Sequence, residues 1–208
     1  LHRLVLVPLL DLSVVVVNYD GRGVLGRCVA SYARACRGLS AEILVVDNAS
    51  NDGSVEEVES DALIRVIQSS DNRGYAGGAN LGLAEARGRV QIVSNHDLVV
   101  ESNALEILLE VLAARPEIGL IGPAITDPDG RRLDTRVGDL PTLWKIVTRR
   151  FFESCGVEKL CRNRPGYLRY FGEGRSPEYS GPVAQISGAF LCVRKEALDQ
   201  VGPMGQES

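Results

Sequence analysis

Apolar and polar positions alternate along the chain in blocks, and the period changes from block to block. Five largely apolar stretches have the length of strands: residues 12–17, 43–46, 63–68, 90–94 and 119–125. Three stretches between them repeat apolar residues at helical spacing: residues 22–37, 77–86 and 103–114. Continuous β-branched runs are typical of strands buried on both faces. The alternation predicts an α/β fold, with helices on both faces of a mostly parallel sheet.

The pattern weakens after residue 125. The Asp127–Gly130 segment (Asp-Pro-Asp-Gly) is typical of a turn, and residues 131–182 follow without a clear period. An apolar run at residues 183–194 predicts one more strand, with a helix from about Lys195. A short helix is also expected after the second strand, because Ser54 and Glu57 have the spacing of a capping box.

Composition and charge set limits on the class of protein. The chain has 208 residues, 45% apolar and 24% charged, with a formal net charge of −4. This balance is ordinary for a soluble globular protein, and it argues against nucleic acid as a partner. Five scattered cysteines without Cys-x-x-Cys spacing indicate buried thiols in a reducing compartment. No apolar stretch reaches the ~20 residues that span a bilayer. We therefore expect a cytoplasmic protein, at most resting on the inner face of a membrane.

Polar residues follow the first two strands at the point where each strand ends. Asn18 and Tyr19 follow the first strand, and Asp47 follows the second and opens the polar segment Asn48–Ser54. In an open α/β sheet, ligands bind outside the carboxyl ends of the strands. Asp47 can accept hydrogen bonds there from a base or ribose; the alternative is that it caps the turn behind it. For Asn18 and Tyr19 the alternative is a turn-forming amide and a packed ring.

A second polar segment, Asp71–Asn80, leads into the predicted helix at 77–86. Arg73 and Gly74 combine a cation with permissive backbone, which suits binding of a diphosphate or bracing of a nucleotide loop. Asn80 lies on the first turns of the helix, where it could face the same pocket. The alternative for the glycines of this segment is close packing of the helix on a strand, and both interpretations can hold together.

Asn95-His96-Asp97 follows the fourth strand. A carboxylate at this place can hold a divalent cation between two phosphates, and hard cations prefer oxygen ligands. We therefore predict Asp97, and not His96, as a ligand of Mg²⁺ or Mn²⁺. A turn or helix-capping role is the alternative for Asp97.

A glycine motif favours a different class of protein. Gly21–Gly26 reads G-x-G-x-x-G between a strand and a helix, and Asp47 ends the next strand, as in dinucleotide-binding oxidoreductases. In those proteins the first glycine follows the strand directly, whereas Asn18–Asp20 intervene here. The motif also leaves Arg73 and Asp97 without a role, so an NAD-dependent oxidoreductase is kept as a lesser alternative.

Taken together, these segments resemble family 2 glycosyltransferases of the GT-A fold, especially the bacterial rhamnosyltransferase-like branch. The matching stretches keep the family's order over nearly the whole chain: residues 14–19, 45–54, 72–82, 95–100, 187–189 and 194–196. The resemblance implies one GT-A-like domain over residues 1–208. Residues 12–125 would form its nucleotide-binding half and residues 126–208 its acceptor-side half.

The resemblance also implies roles for individual residues. Asp47 would bind the base, and Arg73 and Asn80 would line the donor pocket. Asp97 would stand for the metal-binding carboxylate of the family's D-x-D-type motif, where many relatives carry two carboxylates. The sugar and acceptor side would be formed by Ser187, Gly188 and Ala189.

The end of the chain departs from the family pattern. Relatives continue past the position of Gly202 to an acidic pair whose Asp is the catalytic base, but this sequence ends at Ser208 and no residue matches that base. We therefore expect a C-terminally truncated fold with an incomplete acceptor-side half, in which the catalytic residue is unknown.

The implied reaction is metal-dependent transfer of a sugar, with inversion, in polysaccharide or cell-wall biosynthesis. The donor would be a nucleotide sugar (dTDP-rhamnose by the resemblance), and the acceptor a glycan or lipid-linked glycan. General-base catalysis typically contributes ~10²–10⁴-fold to the rate, and no residue here matches the base. The alternative is therefore a non-catalytic remnant that binds the nucleotide sugar. Basic and aromatic residues interleave at 144–170, where they could contact an anionic membrane surface or form a lid over the pocket.

Overall fold

The computed structural model describes residues 10–127, 129–131, 148, 154–155, 181–183 and 186–205. Contacts divide the chain into two compact units, one formed by Leu1–Ile121 with Gly188–Ser208 and the other by Gly122–Ser187. The strands and helices named below all lie in the first unit. The basic and aromatic stretch at 144–170 lies almost entirely outside the described residues.

The described part of the chain contains one six-stranded sheet. Its strands are β1 (Leu10–Asn18), β2 (Ala41–Asp47), β3 (Ile64–Gln68), β4 (Gly88–Asn95), β5 (Leu120–Ile121) and β6 (Phe190–Arg194). The helices are α1 (Leu25–Ala35), α2 (Gly74–Glu85), α3 (Ala104–Ala114) and α4 (Lys195–Val201), with a short 3₁₀ helix at Val55–Glu57. The strand order is β3-β2-β1-β4-β6-β5, and β6 runs antiparallel to both neighbours. The prediction of an α/β fold with a mostly parallel sheet is confirmed.

Both faces of the central strands are buried. Alternate residues of β1 and β2 pack against α2 in one apolar cluster formed by Val15, Val17, Leu44, Val46, Ala79 and Val93. A Cβ on Gly82 would lie 2.3 Å from Val15 Cγ1, and one on Gly78 would lie 2.9 Å from Val17 Cγ1. The residues of the opposite face are equally buried, and α1 packs against the same two strands. The packing interpretation is therefore confirmed for Gly78.

A buried carboxylate lies near the amino ends of the strands, away from the end where the polar loops emerge. Glu42 of β2 is 4% exposed, and its Oε1 accepts hydrogen bonds from Ser13 Oγ at 2.7 Å and from the Arg87 backbone N–H at 2.8 Å. The Arg87 guanidinium donates to Oε2 through Nε at 3.0 Å and Nη2 at 2.7 Å. Burial pushes the pKa of Glu42 upward, but the bonds from Arg87 and Ser13 outweigh it, so the pKa is lowered.

Several predicted boundaries differ from those observed. The helix predicted from residue 22 begins at Leu25, and the expected capping box does not form. Ser54 Oγ instead accepts from Asn18 Nδ2 at 2.9 Å, and the Glu57 carboxylate accepts from the Gly23 N–H at 2.8 and 2.9 Å. These bonds join two loops rather than close the first turn of a helix. The last two strands are also shorter than predicted. Regular strand pairing covers only Leu120–Ile121 and Phe190–Arg194.

Three of the five cysteines, Cys28, Cys36 and Cys192, are buried free thiols, as predicted. Burial raises the pKa of Cys36 to about 11 and those of Cys28 and Cys192 to about 12, so none is a ready nucleophile. Cys155 is exposed, contrary to the prediction, and Cys161 lies outside the described residues. Within the described ranges, no helix is both long enough and apolar enough to cross a bilayer.

Candidate functional site

The carboxyl ends of β1, β2 and β4 bring the predicted polar residues to one edge of the sheet. Asn18 is the register partner of Asp47, and Val17 is the partner of Asn95. Asp47 and Asn95 therefore flank β1 on its two sides, at a separation of about 10 Å from two interstrand spacings. Asp97 follows two residues after Asn95, so the loops that carry both predicted acidic residues start from neighbouring points.

Asp47 is buried, and a polar cluster fixes its orientation. Asn18 Nδ2 lies 3.1 Å from Asp47 Oδ1, 3.1 Å from Ser50 Oγ and 2.9 Å from Ser54 Oγ. Ser50 Oγ also donates to Asp47 Oδ1. Among the described residues, Oδ2 of Asp47 has no hydrogen-bond partner. One carboxylate oxygen is thus held by the protein, and the other can accept a bond from a ligand.

The loops after β1 and β2 are joined by hydrogen bonds that use backbone N–H groups. Arg22 N donates to Asp52 Oδ2 at 2.8 Å, and Gly23 N donates to the Glu57 carboxylate. These are N–H groups of the glycine motif, which in a dinucleotide-binding protein would face a pyrophosphate. Here two acidic side chains accept from them and would repel an anion. The oxidoreductase alternative therefore loses its structural basis.

Asn48 holds the segment that carries Arg73. We call Asn72–Gly74 the arginine loop. Asn48 Nδ2 donates to Asn72 Oδ1 at 2.8 Å and to the Gly74 carbonyl at 3.1 Å, and its Oδ1 accepts from the Arg73 N–H at 3.0 Å. The Arg73 side chain is 48% exposed, with Nε 3.5 Å from Asp71 Oδ1. The arginine loop is thus fixed at its backbone while its cation faces solvent.

Asn80 makes contacts that its sequence position did not predict. Its Nδ2 donates to the Met204 carbonyl at 2.9 Å, and its Oδ1 accepts from the Met204 N–H at 2.9 Å. The side chain therefore holds the segment that follows α4 against α2. Its role in donor binding stays a prediction.

The segment before β6 comes to the same edge of the sheet. Ala189 O accepts from the Asn95 N–H at 3.0 Å, and Gly188 O accepts from the Tyr75 hydroxyl at 2.5 Å. Burial raises the pKa of Tyr75 to about 12, so the hydroxyl stays a donor at neutral pH. Gly188 and Ala189 thus lie beside the end of β4. Ser187 belongs to the second unit.

Two further predicted residues lie at the rim. Tyr19 is 46% exposed, directly after the buried Asn18. Asp97 is exposed, whereas the neighbouring His96 ring is half-buried and has Nδ1 3.3 Å from the Val17 carbonyl. In the described ranges, no three or more His, Cys, Asp or Glu side chains are grouped as for a metal site. A single exposed carboxylate fits a cation whose remaining ligands are phosphate and water oxygens.

Sequence reasoning missed three residues that build this site: Asn48, Ser50 and Ser54. A usable signal existed for Asn48. The alternation of β2 directs Leu44 and Val46 to the α2 face, and the next residue of that series is Asn48. The roles of Ser50 and Ser54 depend on how two loops meet, which no local pattern contains.

The family model for "Glycosyl transferase family 2" matches residues 13–202. The chain belongs to glycosyl transferase family 2. The match takes in most of β1, all of β2 to β6 and all the predicted site residues, so the family resemblance drawn from the sequence is confirmed.

Two relatives give a closer comparison for this family 2 chain. It is 30% identical over 207 residues to an N-acetylglucosaminyl-diphospho-decaprenol L-rhamnosyltransferase of Mycobacterium tuberculosis, covering 92% of this chain and 64% of the relative. It is 32% identical over 169 residues to the succinoglycan biosynthesis protein ExoO of Rhizobium meliloti, covering 79% and 48%. The chain thus spans less than two thirds of the length of each relative.

Solved structures support the fold of the family 2 chain. A mannosyltransferase from Pyrobaculum calidifontis, solved with GDP-Man and Mn²⁺, superimposes with a TM-score of 0.63 at 17% identity, covering 95% of this chain and 48% of that one. S. aureus TarS 1–349 gives a TM-score of 0.51 at 17% identity, covering 64% and 42%. The GT-A-type fold predicted from the resemblance is therefore confirmed.

Proposed function

We propose that this chain is the donor-binding part of an inverting glycosyltransferase that takes a sugar from a nucleoside-diphosphate donor. The observation that carries the proposal is the oriented carboxylate of Asp47, held through Oδ1 at the end of β2, in a family whose members are glycosyltransferases. Donor binding is assigned to residues 12–125 and the acceptor side to residues 126–208.

In this proposal Asp47 Oδ2 accepts a hydrogen bond from the base, and Asn18 keeps the carboxylate in place. The arginine loop supplies the Arg73 cation for the diphosphate, beside Gly74, whose backbone has a positive φ of 67°. Tyr19 and Asn80 complete the donor side, and Gly188 with Ala189 lies toward the transferred sugar.

A divalent cation, Mg²⁺ or Mn²⁺, is assigned to Asp97. The solved mannosyltransferase contains Mn²⁺ with its nucleotide sugar, which supports dependence on a divalent cation. When bound, such a cation neutralises the charge of the departing diphosphate. The Asp97 carboxylate would hold the cation, and oxygen atoms of the diphosphate would serve as further ligands.

The reaction proposed is a single displacement. The acceptor hydroxyl oxygen bonds to the anomeric carbon, the bond to the nucleoside diphosphate breaks, and a base takes the hydroxyl proton. The residue that serves as base is not assigned. Similarity to the mycobacterial L-rhamnosyltransferase supports rhamnose as the transferred sugar and a lipid-linked glycan as acceptor, and we propose dTDP as the carrier of the sugar from the family resemblance. Such an acceptor would bring the protein to the inner face of a membrane.

Isothermal titration with dTDP, UDP and GDP, with and without Mn²⁺, tests donor binding. We expect one of these nucleotides to bind, and Asp47→Ala to weaken it at least about tenfold, since a hydrogen bond to a charged group is typically worth about 1.5–3 kcal/mol. Glu59→Ala, which removes an exposed carboxylate outside the site, is the matched control. Absence of binding for all three nucleotides would refute the proposal.

Turnover is tested separately. Sustained release of nucleoside diphosphate from a panel of nucleotide sugars, with a polyprenyl-linked acceptor present, would exclude the non-catalytic alternative. Binding without release would favour it.

A further inference from the structure

We propose that Asn48 is a positioning residue that holds the arginine loop at a fixed place relative to Asp47. The proposal rests on the proposed function, because it concerns the same donor site. Asp47 and Asn48 are adjacent in the chain, and each fixes a different loop. The base side and the diphosphate side of the site are then coupled through one dipeptide at the end of β2.

The alternation of β2 explains how two neighbours reach two loops. Successive side chains of a strand point to opposite faces of the sheet. Asp47 therefore reaches the cluster of Asn18 and Ser50 on one face. Asn48 reaches the other face, where its amide lies against α2 beside Gly78.

The hydrogen bonds of Asn48 require an amide. Its Nδ2 donates to two oxygens of the arginine loop, on Asn72 and Gly74, while its Oδ1 accepts from the Arg73 N–H. A carboxylate would place an acceptor against two acceptors, and a hydroxyl side chain is too short to span three partners. Asn48 is 2% exposed, so its bonds are shielded from water.

The backbone of Asn48 completes the coupling. Its N–H donates to the Asn18 carbonyl at 2.9 Å, which ties the dipeptide to β1. From the arginine loop the connection continues along α2 to Tyr75, whose hydroxyl donates to Gly188 O. A change at Asn48 is therefore expected to move Arg73 and the start of α2 without altering Asp47 itself.

Limited proteolysis gives a readout that does not need nucleotide. Trypsin cleaves after arginine, and cleavage at Arg73 requires the arginine loop to open. We expect Asn48→Ala to increase the rate of cleavage at Arg73 at least about fivefold, from loss of net hydrogen bonds, relative to cleavage at Arg37 in the turn after α1. A rise at both sites alike would indicate general destabilisation and overturn the proposal.

Two more variants complete the test. Asn72→Ala removes an exposed partner of Asn48 in the same cluster and should also increase cleavage at Arg73. It tests the positioning role if Asn48→Ala does not fold. Asn51→Ala is the matched control, because it makes the same change three residues further on. The described hydrogen bond of Asn51 is donated by its backbone N–H to Asp20, and the variant keeps it. Its cleavage at Arg73 should equal that of the wild type.

Titration with dTDP, UDP and GDP plus Mn²⁺ then links the position of the loop to binding. We expect Asn48→Ala to raise the Kd of the bound nucleotide about tenfold, with Asn51→Ala unchanged. Unchanged cleavage in the Asn48 and Asn72 variants overturns the positioning role, whatever the nucleotide result. If cleavage at Arg73 increases in the variants but the wild-type protein binds no nucleotide, the positioning role of Asn48 is upheld and the proposed function is refuted instead.

Discussion

At the scale of single residues, the amide of Asn18 is used unequally. Its Nδ2 faces three oxygen atoms, whereas its Oδ1 is buried without a hydrogen-bond partner among the described residues. A Cβ on Gly21 would lie 2.3 Å from that oxygen and 2.8 Å from His96 Cδ2. A glycine is therefore required where the loop after β1 passes between Asn18 and the end of β4.

We predict that Gly21→Ala lowers the free energy of unfolding by about 1–3 kcal/mol, because the added methyl group must displace Asn18 or His96. Nucleotide binding should weaken with it, since Asn18 orients Asp47. Urea unfolding and titration measure the two effects. Gly205→Ala adds a methyl group with no heavy atom within 4 Å and should change stability by less than about 0.5 kcal/mol. Equal stability of the two variants would contradict the prediction.

Asp47 and Asn18 could be predicted as site residues because each directly follows an apolar strand, and the strand-end rule applies to both. For Asn48 the alternation of β2 indicates the face of the sheet but not the partners, which lie 24 to 26 positions away in the chain. The contact of Asn80 with Met204 spans 124 positions and is equally invisible to local patterns. Long-range pairing of polar groups is what the sequence alone did not contain.

At the scale of elements, the apolar runs located β1, β2 and β4 within a few residues, because burial on both faces leaves a continuous signal. The edge strand β3, in which no residue is buried, was located as closely from a mixed run of apolar and polar residues. The direction of β6 carries no such signal, since an apolar run reads the same in a parallel and an antiparallel strand. Its position depends in part on Arg194, whose guanidinium donates to carbonyls at the end of α3: Leu112, Arg115 and Ile118.

We predict that Arg194→Ala destabilises the protein by about 2 kcal/mol, because it leaves carbonyls of the α3 C-terminus without a cationic donor. Arg194→Lys should recover only part of this, since an ammonium cannot reproduce the planar fork. Lys195→Ala removes an exposed ion pair with Asp199 and should cost less than about 0.5 kcal/mol. Denaturant unfolding distinguishes these outcomes, and similar losses for the Arg194 and Lys195 variants would refute the capping role.

The Glu42 cluster joins β1 and β2 to the residues around the start of β4, and it predicts a pH dependence. The pKa of the Glu42 carboxyl is lowered in the folded protein from its ordinary value of 4.5. As the pH falls below that value, this carboxyl is therefore protonated more in the unfolded chain than in the folded one. Stability from this group is complete above that value and declines as the pH falls through the folded pKa. We expect Glu42→Gln to cost about 2 kcal/mol at neutral pH, with a stability difference from wild type that narrows as the pH falls below the ordinary carboxyl pKa of 4.5. A constant difference over that fall in pH would show that ionisation of Glu42 does not stabilise the fold.

At the scale of the whole molecule, the candidate site residues other than Ser187 lie in the first compact unit, which draws on both ends of the described chain. Three contacts tie residues 188–205 to the sheet and to α2: those of Asn80 with Met204, Tyr75 with Gly188 and Asn95 with Ala189. A ligand held at the strand ends should therefore stabilise the unit as a whole.

We predict that the bound nucleoside diphosphate, at 100 times its Kd, stabilises the protein by about 2.7 kcal/mol, which corresponds to a rise in Tm of roughly 5–10 °C for a chain of this size. Part of the rise should require Mn²⁺ or Mg²⁺ and disappear with EDTA. Asp97→Asn should lose the cation-dependent part and keep the rest. Thermal unfolding measures each contribution, and a cation effect of equal size in Asp97→Asn would assign the metal elsewhere.

The two-residue repeat of β2 has a consequence for redesign of this protein. Exchanges among aliphatic side chains inside the strand are tolerable if volume is kept, but insertion or deletion of one residue would turn every later side chain to the opposite face. Asp47, the proposed base contact, and Asn48, which supports the arginine loop, would then each face the wrong side of the sheet. Strand length is for this reason a stricter requirement than strand composition, and attempts to alter donor choice should substitute at Asp47 while leaving the number of residues before it untouched.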